Sequence, residues 1–129
     1  MSEEPNSPPL LLFIGLGAKL ARLLDVALSR RGYRVAIAPD LESAPTTPNP
    51  RVVFLDRRIA LTALCSVRSR FPSKPIAALS ERIHDPEISA LGTEAVVSLS
   101  QPLPSLLSET ERLLARFPSD RVSSLADAT

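Results

Sequence analysis

The chain has 129 residues, 44% of them hydrophobic and 22% charged, and a formal net charge of +1. That length suits one domain with a sizeable core, and the near-neutral balance argues against a nucleic-acid-binding protein, which carries a basic excess or stripe. With one cysteine (Cys65) and one histidine (His84), an intrachain disulfide, a multi-cysteine metal site and a paired-histidine motif are all excluded.

Residues 1–9 carry Glu3, Glu4 and three prolines, without the basic segment of a signal peptide. They are expected to be a disordered tail, as are residues 118–129, with the domain spanning 10–117. Leu10–Ile14 is a continuous apolar run, too short to cross a bilayer, and reads as a strand buried on both faces. No membrane insertion and a cytoplasmic location are therefore expected, with Cys65 a reduced, buried thiol. Gly15-Leu16-Gly17 breaks the strand. From Ala18 the residues Leu20, Leu23, Leu24, Ala27 and Leu28 recur at three- and four-residue spacing, which predicts an amphipathic helix ended by Gly32. Arg34–Ala38 is a second strand. Pro45, Pro48 and Pro50 leave room for a turn at most between Asp40 and Pro50. Arg51–Asp56 is a third buried strand closed by a carboxylate. Ile59, Leu61, Leu64, Cys65 and Val67 then predict a helix ending near Phe71-Pro72. Pro75–Leu79 is a fourth strand, ending at Ser80. Asp85 and Pro86 are the N-cap and first residue of a short helix closed by Gly92. Ala95–Leu99 is a fifth strand. Leu103, Leu106, Leu107, Thr110, Leu113, Leu114 and Phe117 form the stripe of a last helix.

Strands alternating with helices imply right-handed crossovers and a helix-covered parallel sheet. The predicted fold is α/β: a small doubly wound, five-stranded, flavodoxin-like sheet of order 2-1-3-4-5, with a shortened or missing second helix. Ligands of such folds sit at the C-terminal ends of the strands. Here those ends are Gly15–Gly17, Asp56–Arg58, Ser80–Arg82 and Leu99–Gln101.

Over Leu10 to Phe117 the sequence resembles a response-regulator receiver domain. The likeness lies in Arg30–Ala38, in Arg51-Val52-Val53-Phe54-Leu55-Asp56, in Arg70–Ser80 and in Leu91–Val96. It implies that Asp56 stands where receivers are phosphorylated and Ser80 at their hydroxyl position. The acidic pair that holds Mg²⁺ in receivers matches Gly15 and Leu16, and their lysine matches Leu99 or Gln101. Their switch aromatic matches Val96, and the loop after Asp56 is about four residues short. Phosphoryl transfer depends on metal and cation stabilisation of transition-state charge, so the resemblance implies a degenerate or pseudo-receiver. Asp56 is then a strand-end carboxylate paired with Arg57, Arg58 or Arg82, or capping a neighbouring turn. The implied function is a phosphorylation-independent adaptor in a bacterial-type two-component or regulatory system. It would bind another signalling protein, or a second copy of itself as a homodimer, with no enzymatic activity, cofactor or metal. The face receivers commonly use corresponds to Ile88, Val97 and Ser105, Glu109, Arg112 and Arg116.

Competing constellations exist. Gly15, Gly17 and Lys19, after a strand and before a helix, resemble the start of a dinucleotide fingerprint or an anion site, although Leu20 replaces the third glycine. Residual phosphorylation at Asp56 is another alternative. Ser80, His84 and Asp85 lack a nucleophile-elbow pattern. The apolar stripes at Leu20–Leu28 and Leu106–Phe117 are core first and partner surface second.

Overall fold

A strand covered by helices on both faces has no solvent side for polar residues. Leu10–Ile14 (β1), Val52–Asp56 (β3) and Ile76–Ser80 (β4) obey that rule and are buried throughout, apart from the half-buried Asp56. Arg34–Ala38 (β2) and Ala95–Ser98 (β5) are partly exposed, because they form the two edges. The computed structural model, which describes residues 8–45, 49–82, 84–100 and 102–117, assembles them into one five-stranded sheet of order β2-β1-β3-β4-β5. Every pairing is parallel. The predicted doubly wound architecture is therefore the observed one.

The helices are Ala18–Ser29 (α1), Arg57–Arg70 (α2), Pro86–Ser89 (α3) and Leu103–Arg116 (α4). Because side chains alternate across a strand, the sheet feeds two separate cores. Leu11, Phe13, Val52, Phe54, Ala77 and Leu79 pack with Leu24 and Leu28 of α1 and Leu106, Leu107 and Leu113 of α4. Leu12, Ile14, Val53, Leu55, Ile76 and Ala78 pack with Ala60 and Val67 of α2 and Ile88 of α3. Phe13 and Phe54 are register partners on neighbouring strands, and their rings stack with centroids 4.5 Å apart. Such a pair adds about 0.5–1.5 kcal/mol to the burial of its area.

No helix joins β2 to β3 among the described residues. Asp40 instead closes a turn, its Oδ1 accepting from Ser43 N and Ser43 Oγ, both at 2.9 Å. These bonds hold the Asp40 carboxyl below its usual range. Ala44 is buried beneath the segment, and its carbonyl accepts from Arg70 Nη2 at 2.9 Å. Pro45 and Pro50 both follow this turn, while Pro48 lies outside the described residues.

Four expectations change. The chain is engaged before Leu10: Pro9 O accepts from Arg34 N at 2.9 Å and Pro8 O from Arg34 Nε at 3.3 Å. The rest of the expected tails, residues 1–7 and 118–129, lies outside the described residues. Cys65 is exposed, not buried. The inward stripe of α2 runs through Ala60, Leu64 and Val67 to Phe71, which leaves Cys65 beside it. For the same reason Leu61 is 39% exposed and Leu23 of α1 is 65% exposed, while Ala21 takes a core position in α1. Among the described residues no helix is long and apolar enough to cross a membrane.

Candidate functional site

The C-terminal ends of β1, β3 and β4 meet at one rim, as the sheet order requires. A shallow cavity of about 440 Å³ opens there, lined by Asp56, Arg57, Arg58, Leu61, Thr62, Leu79, Glu81, Arg82 and Leu99. Two local features shape it.

The first is the direct junction of β3 and α2. Helix α2 begins at Arg57, the residue after Asp56, with no intervening loop. Asp56 is the N-cap of α2: its Oδ2 accepts from Arg58 N at 3.1 Å. The helix is kinked at Ala63 (φ −137°, ψ 19°), next to Thr62, whose hydroxyl donates to Arg58 O at 2.8 Å. A hydroxyl bonded back to the preceding turn commonly bends a helix. The first turn of α2 thus lies directly over the end of β1. Gly15 has φ +90°, and a Cβ placed there would come within 2.7 Å of Ile59 Cγ1 and 3.1 Å of Asp56 Cβ. The space a side chain at position 15 would occupy is therefore filled by Ile59. Leu16 is buried with the α1–α4 core rather than facing the rim. Neither position supplies an oxygen ligand, and a hard divalent cation needs several. Among the described residues no group of three or more His, Cys, Asp or Glu could hold a metal ion. The residues at this rim do not fit the Mg²⁺ that the resemblance implies for receivers.

The second feature is a polar clamp. The side chain of Asp85 is 1% exposed and that of Arg57 28% exposed. Asp85 Oδ2 accepts from Arg57 Nε at 2.7 Å and from Ser80 Oγ at 2.7 Å. Its Oδ1 accepts from Ile88 N at 3.4 Å, capping α3, and from Arg57 Nη2 at 3.5 Å. Arg57 also pairs with Glu87. Ser80 Oγ, itself buried, accepts from Arg82 N at 3.1 Å. The hydroxyl thus donates toward α3 while its lone pairs serve its own loop. The Arg57 guanidinium, and after it the Ser80 hydroxyl, pull the Asp85 carboxyl down from 3.8 to about 2. Asp85 in turn holds Arg57 above its ordinary value. A carboxyl more acidic in the folded than in the unfolded chain stabilises the fold above its unfolded pKa, and that contribution disappears as the group is protonated. Stability should therefore fall as pH drops from about 4 toward 2, and urea titrations across this window should show a shallower slope in Asp85→Asn.

These contacts revise several expectations. The ion pair expected between Asp56 and Arg57, Arg58 or Arg82 is not formed: Asp56 caps a helix, and Arg57 points to Asp85 and Glu87. Arg58 and Arg82 line the rim cavity. Leu99 lines it too, its amide donating to Ser80 O at 2.6 Å, so an apolar side chain occupies one of the positions matched to the receiver lysine. Gln101, the other, lies outside the described residues. Gly15, expected to help cradle an anion, donates its amide to Ala38 O at 2.9 Å. The turn therefore lacks its first donor, and only Gly17, the N-cap of α1, and the exposed Lys19 remain of that trio. His84 is exposed, and the hydroxyl of Ser80 goes to Asp85.

On the expected partner face, Ile88 and Val97 are buried, because both point into the cores. Period-two alternation along β5 exposes Val96 instead, by 37%. Ser105 and Glu109 are half-buried, and Arg112 and Arg116 are exposed. Val96, Ser98, Ser105, Ser108 and Glu109 line a groove of about 270 Å³, and Arg112 Nη2 donates to Glu109 Oε1 at 2.6 Å. Sequence reasoning missed Ile59 as the residue filling the rim, and it missed the pairing of Arg57 with Asp85. The Asp-Pro start of α3 signalled a cap but carried no sign of a partner 28 residues away.

Neither a protein-family profile nor a curated protein sequence matches the chain. Solved structures do. Chemotaxis protein CheY4 of Vibrio cholerae superposes with a TM-score of 0.68 at 17% identity, covering 83% of this chain and 99% of that one. A response regulator from Thermotoga maritima gives 0.71 at 19% identity, covering 84% and 98%. The N-terminal receiver domain of Klebsiella pneumoniae RstA gives 0.71 at 18%, covering 81% and 97%. The chain has the receiver fold of two-component response regulators.

Proposed function

We propose that the chain is a receiver-fold adaptor that works by protein–protein interaction and without phosphorylation at Asp56. One observation carries this reading: Ile59 occupies the space at Gly15 where an acidic side chain would have to stand to help hold a metal beside Asp56. The clamp supports it, because Ser80, at the hydroxyl position of the resemblance, is tied to Asp85 and away from the rim. In this reading Asp56 is a helix cap, and the module is neither an enzyme nor metal-dependent. Its partner is another signalling protein, met on the face of Val96, Ser105, Glu109, Arg112 and Arg116 in the cytoplasm of a bacterial-type system. Binding there is constitutive.

The role of Asp56 is open to direct test. Asparagine caps a helix about as well as aspartate, whereas alanine costs about 1 kcal/mol. Asp56→Asn should therefore leave urea stability within about 0.5 kcal/mol of the parent, with Asp56→Ala clearly below both. Millimolar MgCl₂ should not shift the amide resonances of residues 14–17 or 56–59 in the parent protein. A saturable Mg²⁺ shift at the rim that disappears in Asp56→Asn would overturn the proposal.

A further inference from the structure

The rim cavity of about 440 Å³ carries charges of both signs that the fold itself does not use. Arg57 belongs to the clamp and is held by Asp85 and Glu87. The guanidinium groups of Arg58 and Arg82 and the carboxylate of Glu81 are exposed, and none forms a hydrogen bond or ion pair with a described residue. Asp56 is half-buried, and its cap engages Oδ2 while leaving Oδ1. Leu61, Leu79 and Leu99 share the lining with an apolar surface. The backbone that carries these groups is already fixed. Arg58 N is tied to Asp56, and Arg82 N donates to Ser80 Oγ at 3.1 Å. Glu81 O accepts from Ser100 Oγ at 2.9 Å, and Leu99 N donates to Ser80 O at 2.6 Å. Walls supported in this way lose less freedom on binding than a loop that must first be ordered.

We propose that this rim binds a free α-amino acid with an apolar side chain. The cavity is at the small end of the range for ligand sites, which suits a molecule of that size. Charge decides the class. A simple anion, inorganic phosphate or a nucleotide included, meets Arg58 and Arg82 but also Asp56 and Glu81. A simple cation meets the converse, and like charges brought together oppose binding. A zwitterion satisfies both pairs. Its carboxylate accepts from the arginines, whose planar guanidinium forks match it, and its ammonium donates to Asp56 Oδ1 and Glu81. Its side chain then covers the leucines, of which Leu61 is 39% exposed and gains most from leaving water. The inference rests on the reading above in one respect, that neither a metal nor a phosphoryl group uses Asp56.

The test titrates the full chain, isotope-labelled, with L-leucine. Amide shifts should saturate and map to residues 56–62, 79–82 and 99. N-acetyl-L-leucine lacks the ammonium, L-leucinamide lacks the carboxylate and glycine lacks the apolar side chain. Each should bind more weakly by about tenfold or more. Arg58→Gln combined with Arg82→Gln should weaken leucine binding by a similar factor and remove the preference for leucine over leucinamide. The melting temperature should not change, because both side chains are exposed. Asp56→Asn, which keeps the helix cap, combined with Glu81→Gln should remove the preference for leucine over N-acetylleucine. The proposal fails if leucine moves no rim amide, if its shifts map elsewhere or if the paired substitutions change nothing. It also fails if inorganic phosphate or either blocked analogue binds the rim as tightly as leucine. MgCl₂ is titrated separately: a rim that binds Mg²⁺ overturns the adaptor reading, whereas a rim that binds neither Mg²⁺ nor leucine overturns this inference alone.

Discussion

Replacing Gly15 and Leu16 by aspartate, the change that would supply a receiver-like acidic pair, should cost stability without creating a metal site. A side chain at position 15 must adopt φ +90°, and its Cβ meets Ile59 Cγ1 at 2.7 Å and Asp56 Cβ at 3.1 Å. Left-handed strain costs about 1–3 kcal/mol, and forcing atoms into a packed site costs a further 1–3 kcal/mol or so. Leu16 is 8% exposed and packs in the α1–α4 core, so a carboxylate there also loses burial of about 1.5–3 kcal/mol. The double variant should be largely unfolded, or should melt far below the parent in circular dichroism, with and without MgCl₂. Adding Ile59→Ala should recover part of the loss from Gly15→Asp alone, because it removes the clash and leaves the backbone strain. A Gly15→Asp variant as stable as the parent would mean that Ile59 does not close the rim.

The second large effect is expected at Asp85. Its carboxylate is the shared acceptor of Ser80 Oγ, Arg57 Nε and the Ile88 amide, in a site where the side chain is 1% exposed. Asp85→Ala leaves a buried hydroxyl without its acceptor, a half-buried guanidinium without its main partner and α3 without its cap. Loss of such a network is among the few mechanisms that give large single-residue effects. A fall in melting temperature of more than about 5 °C is expected. Asp85→Asn should be milder, because it keeps an acceptor and a cap while losing the charge. Ser80→Ala should be milder still, since Arg57 and Ile88 retain their carboxylate. If Asp85→Ala melts with the parent, the clamp is not what fixes α3 to the rim.

The fold was legible because its strands are short apolar runs separated by unambiguous breakers. Leu10–Ile14 and Arg34–Ala38 coincide with β1 and β2 to the residue, and the described residues between β2 and β3 hold no helix, in line with the prolines after Asp40. The absence of acids at Gly15 and Leu16 was also plain. What replaces them was not, since the packing of Ile59 on Gly15 depends on α2 starting at Arg57, and helix boundaries are weakly encoded. Periodicity failed where amphipathic stripes are broader than the core they meet, at Leu23, Leu61 and Cys65. The partner face carried over from the resemblance missed in β5, where a one-residue shift exchanges the buried face for the exposed one and Val96, not Val97, is exposed. Long-range polar partners such as Arg57 and Asp85 leave no local pattern at all.

The most direct test of phosphorylation independence is intact-mass analysis of the purified chain after incubation with acetyl phosphate and MgCl₂, with Asp56→Asn alongside. No phosphoryl adduct should appear on either protein. A stoichiometric adduct on the parent that is lost in Asp56→Asn would contradict it.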